Sequence, residues 1–332
     1  MLSLNQRFLL DKFLGLFERN LIEPFLEQRT VEVEPIFIIG PPRSGTTVIY
    51  RWFTYYLAEE YAYITRLANL FPSAVYLVNW IGLKLLGQNL DLQQPHSYGQ
   101  VKGFMALDEG HRLWPWYLDS RHPTDHHRWR NVFSHTDYPH RQTLTPSVYQ
   151  FLRGIFNKLS ILMGSRLILN KSTHNANKIH YLKAIFPEAR FLCIVRDGRD
   201  VAKSLLVARE EIEGDRHRWW SLKPANWEEL QSLPPHISCG LQWEALMNEM
   251  EGQIHRLEPQ DYHFLRYEDF LAAPFETLKA VYQHFDLKYR VSDDQNLQYL
   301  KKPVSYAEYF NATELADLNR VLAHSLANWG YK

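Results

Sequence analysis

Short apolar runs alternate along the chain with longer segments in which apolar residues recur at helical spacing. The runs at 35–39, 166–169, 190–195 and 262–267 have the length and composition of buried strands. Each precedes a segment with a helical period. Strands that alternate with helices predict an α/β fold, in which a single parallel sheet lies between helical layers.

Two stretches break this alternation. Residues 87–147 are rich in His, Trp, Pro and Arg, and residues 211–237 contain Trp219, Trp220 and Trp227 among prolines. Long irregular segments in a compact domain are usually binding loops or lids, and tryptophan-rich loops are rarely disordered. We therefore expect both stretches to be insertions that line a binding site. A structural helix is predicted at 313–327.

Two segments are apolar enough to raise the question of membrane contact. Residues 8–25 are amphipathic and carry five charged side chains, and residues 67–86 are apolar but include Asn69, Pro72 and Lys84. Neither approaches the roughly 20 uninterrupted apolar residues of a membrane span. The favoured interpretation is that both are core or lid helices, the first within an N-terminal helical segment at 1–30. The alternative is a surface that contacts a lipid or an apolar ligand.

Charge and cysteine content narrow the function classes. The 332 residues include 37 Lys and Arg and 37 Asp and Glu, so the net charge is zero. Nucleic-acid affinity comes largely from phosphate neutralisation, and we therefore expect no nucleic-acid partner. Cys193 lies in an apolar run and Cys239 stands alone, which indicates neither a disulfide framework nor a zinc site. This pattern is typical of a reducing, cytoplasmic location.

The first strand leads into Gly40-Pro-Pro-Arg-Ser-Gly-Thr-Thr47. Its two glycines have the spacing of a Walker A loop, and successive N–H groups of such a loop point at an anion. The fold prediction is therefore a single P-loop-like three-layer domain over 1–332. Thr46 occupies the position where nucleotide-hydrolysing enzymes need lysine, and the nearest cation is Arg43. This difference disfavours ATP or GTP chemistry.

A second strand-to-helix junction has the same layout. The run at 191–195 ends in Arg196, a turn follows, and Ser204 lies in the opening turns of the next helix. A cation and a hydroxyl placed in this way can hold one phosphate together. Alternatively, Arg196 and Arg199 pair with Asp197 and Asp200 on a solvated edge. Together with the first loop, the junction indicates a nucleotide with two separated anionic groups.

These motifs resemble those of the sulfotransferases that depend on 3′-phosphoadenosine-5′-phosphosulfate (PAPS), and especially the tyrosylprotein sulfotransferases and similar bacterial enzymes. The loop at 42–47 is similar to their 5′-phosphosulfate loop, and 186–204 to their 3′-phosphate strand and helix. Asn170-Lys171-Ser172 resembles their Asn-Lys segment, and 265–269 their Arg-Tyr-Glu-Asp strand end. The resemblance spans about 35–290.

The resemblance implies a role for each matched residue. Arg196 and Ser204 would bind the 3′-phosphate, and Lys171 would stabilise charge on the transferring group. PAPS would be the co-substrate and PAP the product, with no metal. The 5′-phosphosulfate would be held by five consecutive loop residues: Arg43, Ser44, Gly45, Thr46 and Thr47.

The general base is expected in the irregular stretch that follows the first helix, where Asp108, Glu109 and His111 occur together. The family uses Glu in some branches and His in others. We favour Glu109, with His111 and His174 as the alternatives. In a competing interpretation, Glu109 only pairs with Arg112 on a surface turn.

The sequence thus predicts a soluble, cytoplasmic PAPS-dependent sulfotransferase that acts on a hydroxyl of an apolar or amphipathic acceptor, which is either a small molecule or lipid-like. Peripheral membrane contact and oligomeric state stay open. A P-loop kinase of small molecules would need a lysine equivalent to position 46 and magnesium. A non-catalytic nucleotide-binding or membrane-peripheral protein is the other alternative.

Overall fold

In the part of the chain that the structure describes, five strands form one parallel sheet in the order β2-β3-β1-β4-β5. A computed structural model describes residues 4–26, 28–29, 31–87, 103–111, 113–114, 146–291 and 305–332. The strands are β1 Glu34–Ile39, β2 Ala62–Tyr63, β3 Leu167–Lys171, β4 Arg190–Val195 and β5 Tyr262–Arg266. The predicted α/β fold with a parallel sheet is confirmed.

Helices connect these strands and flank them. In the first half of the described chain they are α1 Leu4–Phe17, α2 Glu23–Leu26, α3 Thr46–Tyr56, α4 Arg66–Leu70, α5 Val75–Leu86 and α6 Pro146–Met163. The second half contains α7 Ile179–Ile185, α8 Gly198–Ala208, α9 Trp227–Gln231, α10 Pro235–Ile254, α11 Tyr267–Ala272, α12 Pro274–His284, α13 Tyr306–Tyr309, α14 Ala312–Val321 and α15 Ala323–Asn328. Short π-helical turns follow α1, at Glu18–Ile22, and α8, at Arg209–Glu213.

The predicted strands agree closely with the observed ones. The predicted run at 190–195 coincides with β4, and β3 continues two residues past its predicted end, so that Asn170 and Lys171 belong to the strand. The two-residue β2 pairs parallel with β3, Ala62 opposite Ile168. It was not predicted because two residues carry no detectable period.

Two predictions about helices need correction. The single helix expected at 313–327 is two helices, α14 and α15, with a break at Leu322. The stretch 211–237, expected to be irregular, includes α9 and the start of α10 at Pro235. Most of the other predicted insertion, 87–147, lies outside the described residues.

The chain divides into two compact units. The first comprises 1–36, 60–171 and 181–189. Its core includes Trp114, Phe156 and Phe186, all nearly inaccessible to solvent. The rings of Phe156 and Phe186 lie 4.5 Å apart between centroids. This aromatic cluster anchors α6, which also packs against α5, β2 and β3.

The second unit comprises 37–59, 172–180 and 190–332. Its main helix–helix contact is between α8 and α10. At that contact, a Cβ on Gly198 would lie 2.4 Å from the buried indole of Trp243. The absence of a side chain at Gly198 therefore lets α8 pack directly against α10.

The N-terminal segment is attached to the rest of its unit by buried carboxylates. Asp11 Oδ1 accepts a hydrogen bond from Ser73 N at 2.9 Å, and Glu18 Oε2 accepts one from Leu77 N at 2.8 Å. Lys158 Nζ lies 2.8 Å from Glu18 Oε1 and also pairs with Glu23. Glu18 thus satisfies an N–H group in the first turn of α5, where negative charge is favoured, and Asp11 satisfies one just before the helix.

The exposure of this segment contradicts the interpretation of 8–25 as a core helix. Asp11 and Glu18 are buried, whereas Leu9, Phe13 and Phe25 are each about two-thirds or more exposed, at 66%, 67% and 71%. Within the described ranges, no helix combines the length and the apolarity that crossing a membrane requires.

We expect Glu18→Ala to lower the free energy of unfolding by about 2–3 kcal/mol, because it leaves Lys158 and the N–H of Leu77 without their buried partner. Urea denaturation followed by circular dichroism measures this. Glu23→Ala is the matched control. Glu23 binds the same lysine from a half-buried position, so its loss should cost less than about 1 kcal/mol. Equal effects of the two substitutions would contradict the prediction.

Candidate active site

The loop between β1 and α3 lies unusually close to its neighbours. A Cβ on Gly40 would approach Ile194 O of β4 to 2.6 Å. A Cβ on Gly45 would lie 2.4 Å from two ring carbons of Tyr267. Gly45 also has a φ of 93°, in the left-handed region that favours glycine. Both glycines of the predicted anion loop are therefore required by space, and Gly45 by backbone conformation as well.

The loop exposes a helix start that no side chain caps. Gly45 is the N-cap of α3 and supplies no capping hydrogen bond. The first N–H groups of a helix lack intrahelical partners and carry partial positive charge. Ser44 is buried, and its Oγ has no hydrogen-bond partner in the part of the chain that the structure describes. Thr46 is buried and Thr47 half-buried beside it. Such a turn is suited to hold an anion.

Arg43, Arg196 and Ser204 come together at this loop, although 161 residues separate the first from the last. Arg43 Nε donates to Ser204 Oγ at 2.8 Å. Arg196 Nη1 donates to the backbone carbonyl of Arg43 at 3.1 Å. Arg43 has a φ of 69°, a left-handed conformation that is uncommon outside glycine. The two predicted anion-binding groups are thus in direct contact.

Two guanidinium groups share this region. The guanidinium of Arg196, a residue only 6% exposed, lies over the Tyr267 ring at 4.9 Å from the centroid. Burial and then the charge of Arg196 lower the pKa of Arg43 below its ordinary value. Arginine stays protonated in proteins, so the two positive charges remain close together. A bound anion would relieve their repulsion.

Both ion pairs of the alternative interpretation for this junction occur, but not on a solvated edge. Arg199 pairs with Asp197, with Nη2–Oδ2 at 2.7 Å and Nε–Oδ1 at 3.0 Å, but both residues are buried and the edge is not solvated. Arg196 Nη2 lies 3.9 Å from Asp200 Oδ2, beyond a good hydrogen bond. Arg199 is therefore a structural partner of Asp197, whereas Arg196 faces the loop.

In the first unit, Lys171 and Glu109 form an ion pair. Lys171 is the last residue of β3 and only 6% exposed, and its Nζ contacts Glu109 Oε1. The second carboxylate oxygen lies 3.2 Å from His111 Nε2. Glu109 thus has a nearly buried lysine as its partner, which a surface turn would not provide. Arg112, the partner expected in that competing interpretation, lies outside the described residues.

The backbone around Glu109 is fixed by side chains. Trp114 Nε1 donates to Glu109 O at 2.9 Å, and Asn170 Nδ2 approaches the same oxygen at 3.4 Å. Asp108 Oδ1 accepts from the N–H of Gly110, at 2.8 Å. These bonds hold the carboxylate in one place relative to the end of β3.

The charges around Glu109 determine its pKa and therefore its strength as a base. Burial pushes the pKa of Glu109 up, but the charge of Lys171 and the hydrogen bond from His111 outweigh it and hold that pKa below the usual range. Glu109 is therefore ionised here, and while Lys171 stays paired with it, it is a weak base. Burial raises the pKa of the neighbouring Asp108.

The remaining candidates are a histidine and two cysteines. His174 lies in the 3₁₀ turn Thr173–Asn175 of the second unit and is half-buried. Cys193 and Cys239 are buried free thiols, and burial raises the pKa of each. A thiol that burial keeps in its neutral form, such as that of Cys193, packs as a small apolar residue and is a poor nucleophile.

Two residues of the candidate site were not predicted from the sequence as site residues. Tyr267 contacts Gly45 and Arg196, although it was noted only as part of a supporting motif. Trp220 lies beneath the Arg43 guanidinium, 6.0 Å from it, although it was assigned only to an insertion. The Arg-Tyr-Glu-Asp motif could have indicated Tyr267, because it follows a strand whose carboxyl end lies beside that of β4.

We expect Gly45→Ala to destabilise the protein by about 3 kcal/mol, because a Cβ both strains the left-handed backbone and pushes against Tyr267. Gly154→Ala is the control, since Gly154 lies inside α6 with open space where the added methyl group would sit. It should raise stability by about 0.5–1 kcal/mol. Chemical denaturation compares the two, and a neutral Gly45→Ala would refute the tight loop.

Comparison with known proteins identifies the family. A family model described as "Sulfotransferase family" matches residues 35–291. The omega-hydroxy-beta-dihydromenaquinone-9 sulfotransferase Stf3 of Mycobacterium bovis is 22% identical over 289 residues, which cover 84% of this chain and 69% of Stf3.

Two solved structures share the fold. The sulfotransferase STF9 of Mycobacterium avium has a TM-score of 0.57 and 14% identity, covering 98% of this chain and 86% of its own. STF1 of Mycobacterium tuberculosis has a TM-score of 0.57 and 18% identity, with 96% and 84% covered. Because the family model matches more than half of the residues, including the loop, the Arg196–Ser204 junction and Lys171, this chain belongs to the sulfotransferase family.

Proposed function

We propose that the protein transfers a sulfuryl group from PAPS to a hydroxyl group of an apolar or amphipathic, lipid-like acceptor. The observation that carries this proposal is the contact of Arg43, Arg196 and Ser204 at an uncapped helix start. In a member of the sulfotransferase family, such a concentration of cations and donors suits a nucleotide with two anionic groups.

The donor's two anions have separate partners in this proposal. The N–H groups and hydroxyls of the loop from Ser44 to Thr47 hold the 5′-phosphosulfate, whereas Arg196 and Ser204 hold the 3′-phosphate. Arg43 belongs to the loop but donates to Ser204. It therefore links the two groups and adds charge near the leaving phosphate.

The reaction is an in-line displacement at sulfur. The acceptor oxygen forms a bond to sulfur while the bond from sulfur to the 5′-phosphate oxygen breaks, and the hydroxyl proton goes to a base. The products are PAP and a sulfate ester. We assign Lys171 to the charge on the transferring group and Glu109 to the proton.

The Lys171–Glu109 pair couples these two roles. When Lys171 turns to the negative charge of the donor, Glu109 loses its main counter-ion. The cause that lowers its pKa is then weakened, and its basicity rises. Donor binding would in this way activate the base. His111, 3.2 Å from Glu109, is the alternative base or a second proton carrier.

The acceptor class is inferred from the relative and from composition. Stf3 is named for a hydroxylated menaquinone derivative, which is a lipid-like molecule. Tryptophan-rich walls suit an apolar or amphipathic ligand. Incubation of the protein with PAPS and lipid extracts, followed by mass spectrometry for products heavier by one SO₃ group, tests both the reaction and the acceptor class. The prediction of a cytoplasmic location stands beside this proposal.

Donor recognition gives a sharp prediction. The wild-type protein should bind PAP about 10- to 100-fold more tightly than adenosine-5′-phosphate, since a charge-assisted hydrogen bond contributes roughly 1.5–3 kcal/mol. Arg196→Ala should abolish most of that preference. Calorimetric titration measures it, and Arg166→Ala, which removes an exposed arginine, is the control.

Equal affinity of the wild-type protein for both nucleotides would refute the 3′-phosphate site. Tighter binding of ATP with magnesium than of PAP would favour a kinase instead.

The base assignment gives a second prediction. Glu109→Gln should lower kcat by about 100-fold or more while PAP affinity changes little, because the amide keeps the shape but has no basicity. Since the pKa of Glu109 lies below its ordinary value in the free protein, the acidic limb of the wild-type kcat/KM profile, which reports the free enzyme, should lie well below neutrality. That limb should vanish in the variant.

His111→Gln is the matched control for this assignment and should retain most of the activity. An active Glu109→Gln with an inactive His111→Gln would assign the proton transfer to the histidine. A wild-type limb close to neutrality would point the same way, because that is the range of histidine.

A further inference from the structure

The N-terminal segment buries charged side chains and exposes apolar ones, which is the reverse of an ordinary surface helix. A helix on a globular protein usually buries its apolar stripe and exposes its charges. Here Asp11 and Glu18 are buried and bound to the start of α5 and to Lys158. The side chains that point to solvent include several large apolar ones, namely Phe8, Leu9, Phe13, Leu16, Phe17, Leu21 and Phe25.

The end of α5 continues this pattern in the same unit. Trp80, Ile81, Leu85 and Leu86 are exposed, Leu85 by 77%. A groove of about 520 Å³ connects the two elements, with Leu21 and Phe25 from the N-terminal segment and Tyr76 from α5 among its walls. We call the exposed apolar residues of the N-terminal segment and α5 the apolar face. Several large apolar side chains exposed on two elements that are bonded to each other mark an interaction site.

The charges on these elements favour one sign. Among the described residues at 6–26, 28–29 and 66–87, the exposed charged side chains are all basic: Lys12, Arg19, Arg29, Arg66 and Lys84. The carboxylates of the same stretches are buried, as in Asp11 and Glu18, or half-buried and paired, as in Glu23. Lys12 Nζ lies 4.6 Å above the Phe8 ring. An apolar side chain with a cation at its edge is typical of helices that lie in a lipid interface.

We propose that the apolar face docks on the surface of a bilayer containing anionic lipids, with the N-terminal segment and the end of α5 in the interface. Apolar side chains would enter the acyl region, while the surrounding lysines and arginines meet lipid phosphates. Trp80 suits the boundary between the two, where indole rings concentrate. None of the residues of the apolar face is among those assigned to sulfuryl transfer.

A second copy of the chain fits this face less well. A two-fold interface brings the same patch of both subunits together. The basic side chains would then face each other without exposed carboxylates from the described part of the patch to pair with them. Anionic lipid supplies the complementary charge, and a bilayer also supplies the apolar phase.

Vesicle flotation with the full-length protein tests the proposal. We expect binding to vesicles that contain equal amounts of phosphatidylcholine and phosphatidylglycerol, and weaker binding to phosphatidylcholine alone. The double variant Leu9→Ser with Phe13→Ser should lower the partition coefficient by about tenfold or more, because both side chains would leave the acyl region. Both positions are two-thirds exposed, so the fold should tolerate the change.

One further variant tests the contribution of the basic side chains, and another serves as the control for the apolar ones. Lys12→Glu with Arg19→Glu should remove most of the preference for phosphatidylglycerol and much of its salt dependence. Ile212→Ser with Val291→Ser, at exposed apolar positions of the second unit, is the matched control and should bind as the wild type does.

Absence of vesicle binding, or equal binding by wild type and the Leu9–Phe13 variant, would overturn the proposal. So would a dimer in light scattering that this variant dissociates without any vesicle binding, because the face would then be an interface between copies. Loss of vesicle binding with unchanged turnover on a water-soluble acceptor would support docking independently of the catalytic assignment.

Discussion

The close approach of the loop at 40–47 to β4 and to Tyr267 is the constraint on which the anion site depends. No side chain fits at Gly40 or Gly45, so the backbone lies against Ile194 O on one side and the tyrosine ring on the other. This contact puts the carbonyl of Arg43 within reach of Arg196 at the end of β4. Because rigid backbone sets these positions, the donors are organised before any ligand arrives.

The cations of the candidate site have different kinds of neighbour. Arg43 and Arg196 are held close as like charges, an arrangement that a bound anion stabilises. Lys171 instead has a carboxylate partner already in Glu109. A ligand that attracts Lys171 must therefore compete with Glu109. If Lys171 turns to the ligand, the carboxylate of Glu109 loses its counter-ion and its pKa rises. In the proposed mechanism, one side chain would thereby link ion pairing to proton transfer.

The features that could be predicted from the sequence are those that depend on a few neighbouring residues. The apolar run of β4, the glycine spacing of the loop and the positions of Arg196 and Ser204 each follow from a few neighbouring residues. The bond between Arg43 and Ser204 spans 161 residues and depends on how strands are ordered in the sheet. The Lys171–Glu109 pair likewise joins a strand end to an irregular stretch. Such a stretch has no periodic pattern from which the direction of its side chains could be predicted.

The orientation of the N-terminal segment shows a different limit. Helical periodicity indicates that 8–25 has two faces, but not which one is buried. In water, burial of the apolar face is the default outcome, and a core or lid helix was therefore favoured over a surface that contacts a lipid. The structure reverses it because Asp11 and Glu18 bind N–H groups at the start of α5 and the ammonium of Lys158. Polar bonds thus hold the segment in place, and its apolar side is left available for an apolar partner, which hydropathy alone could not reveal.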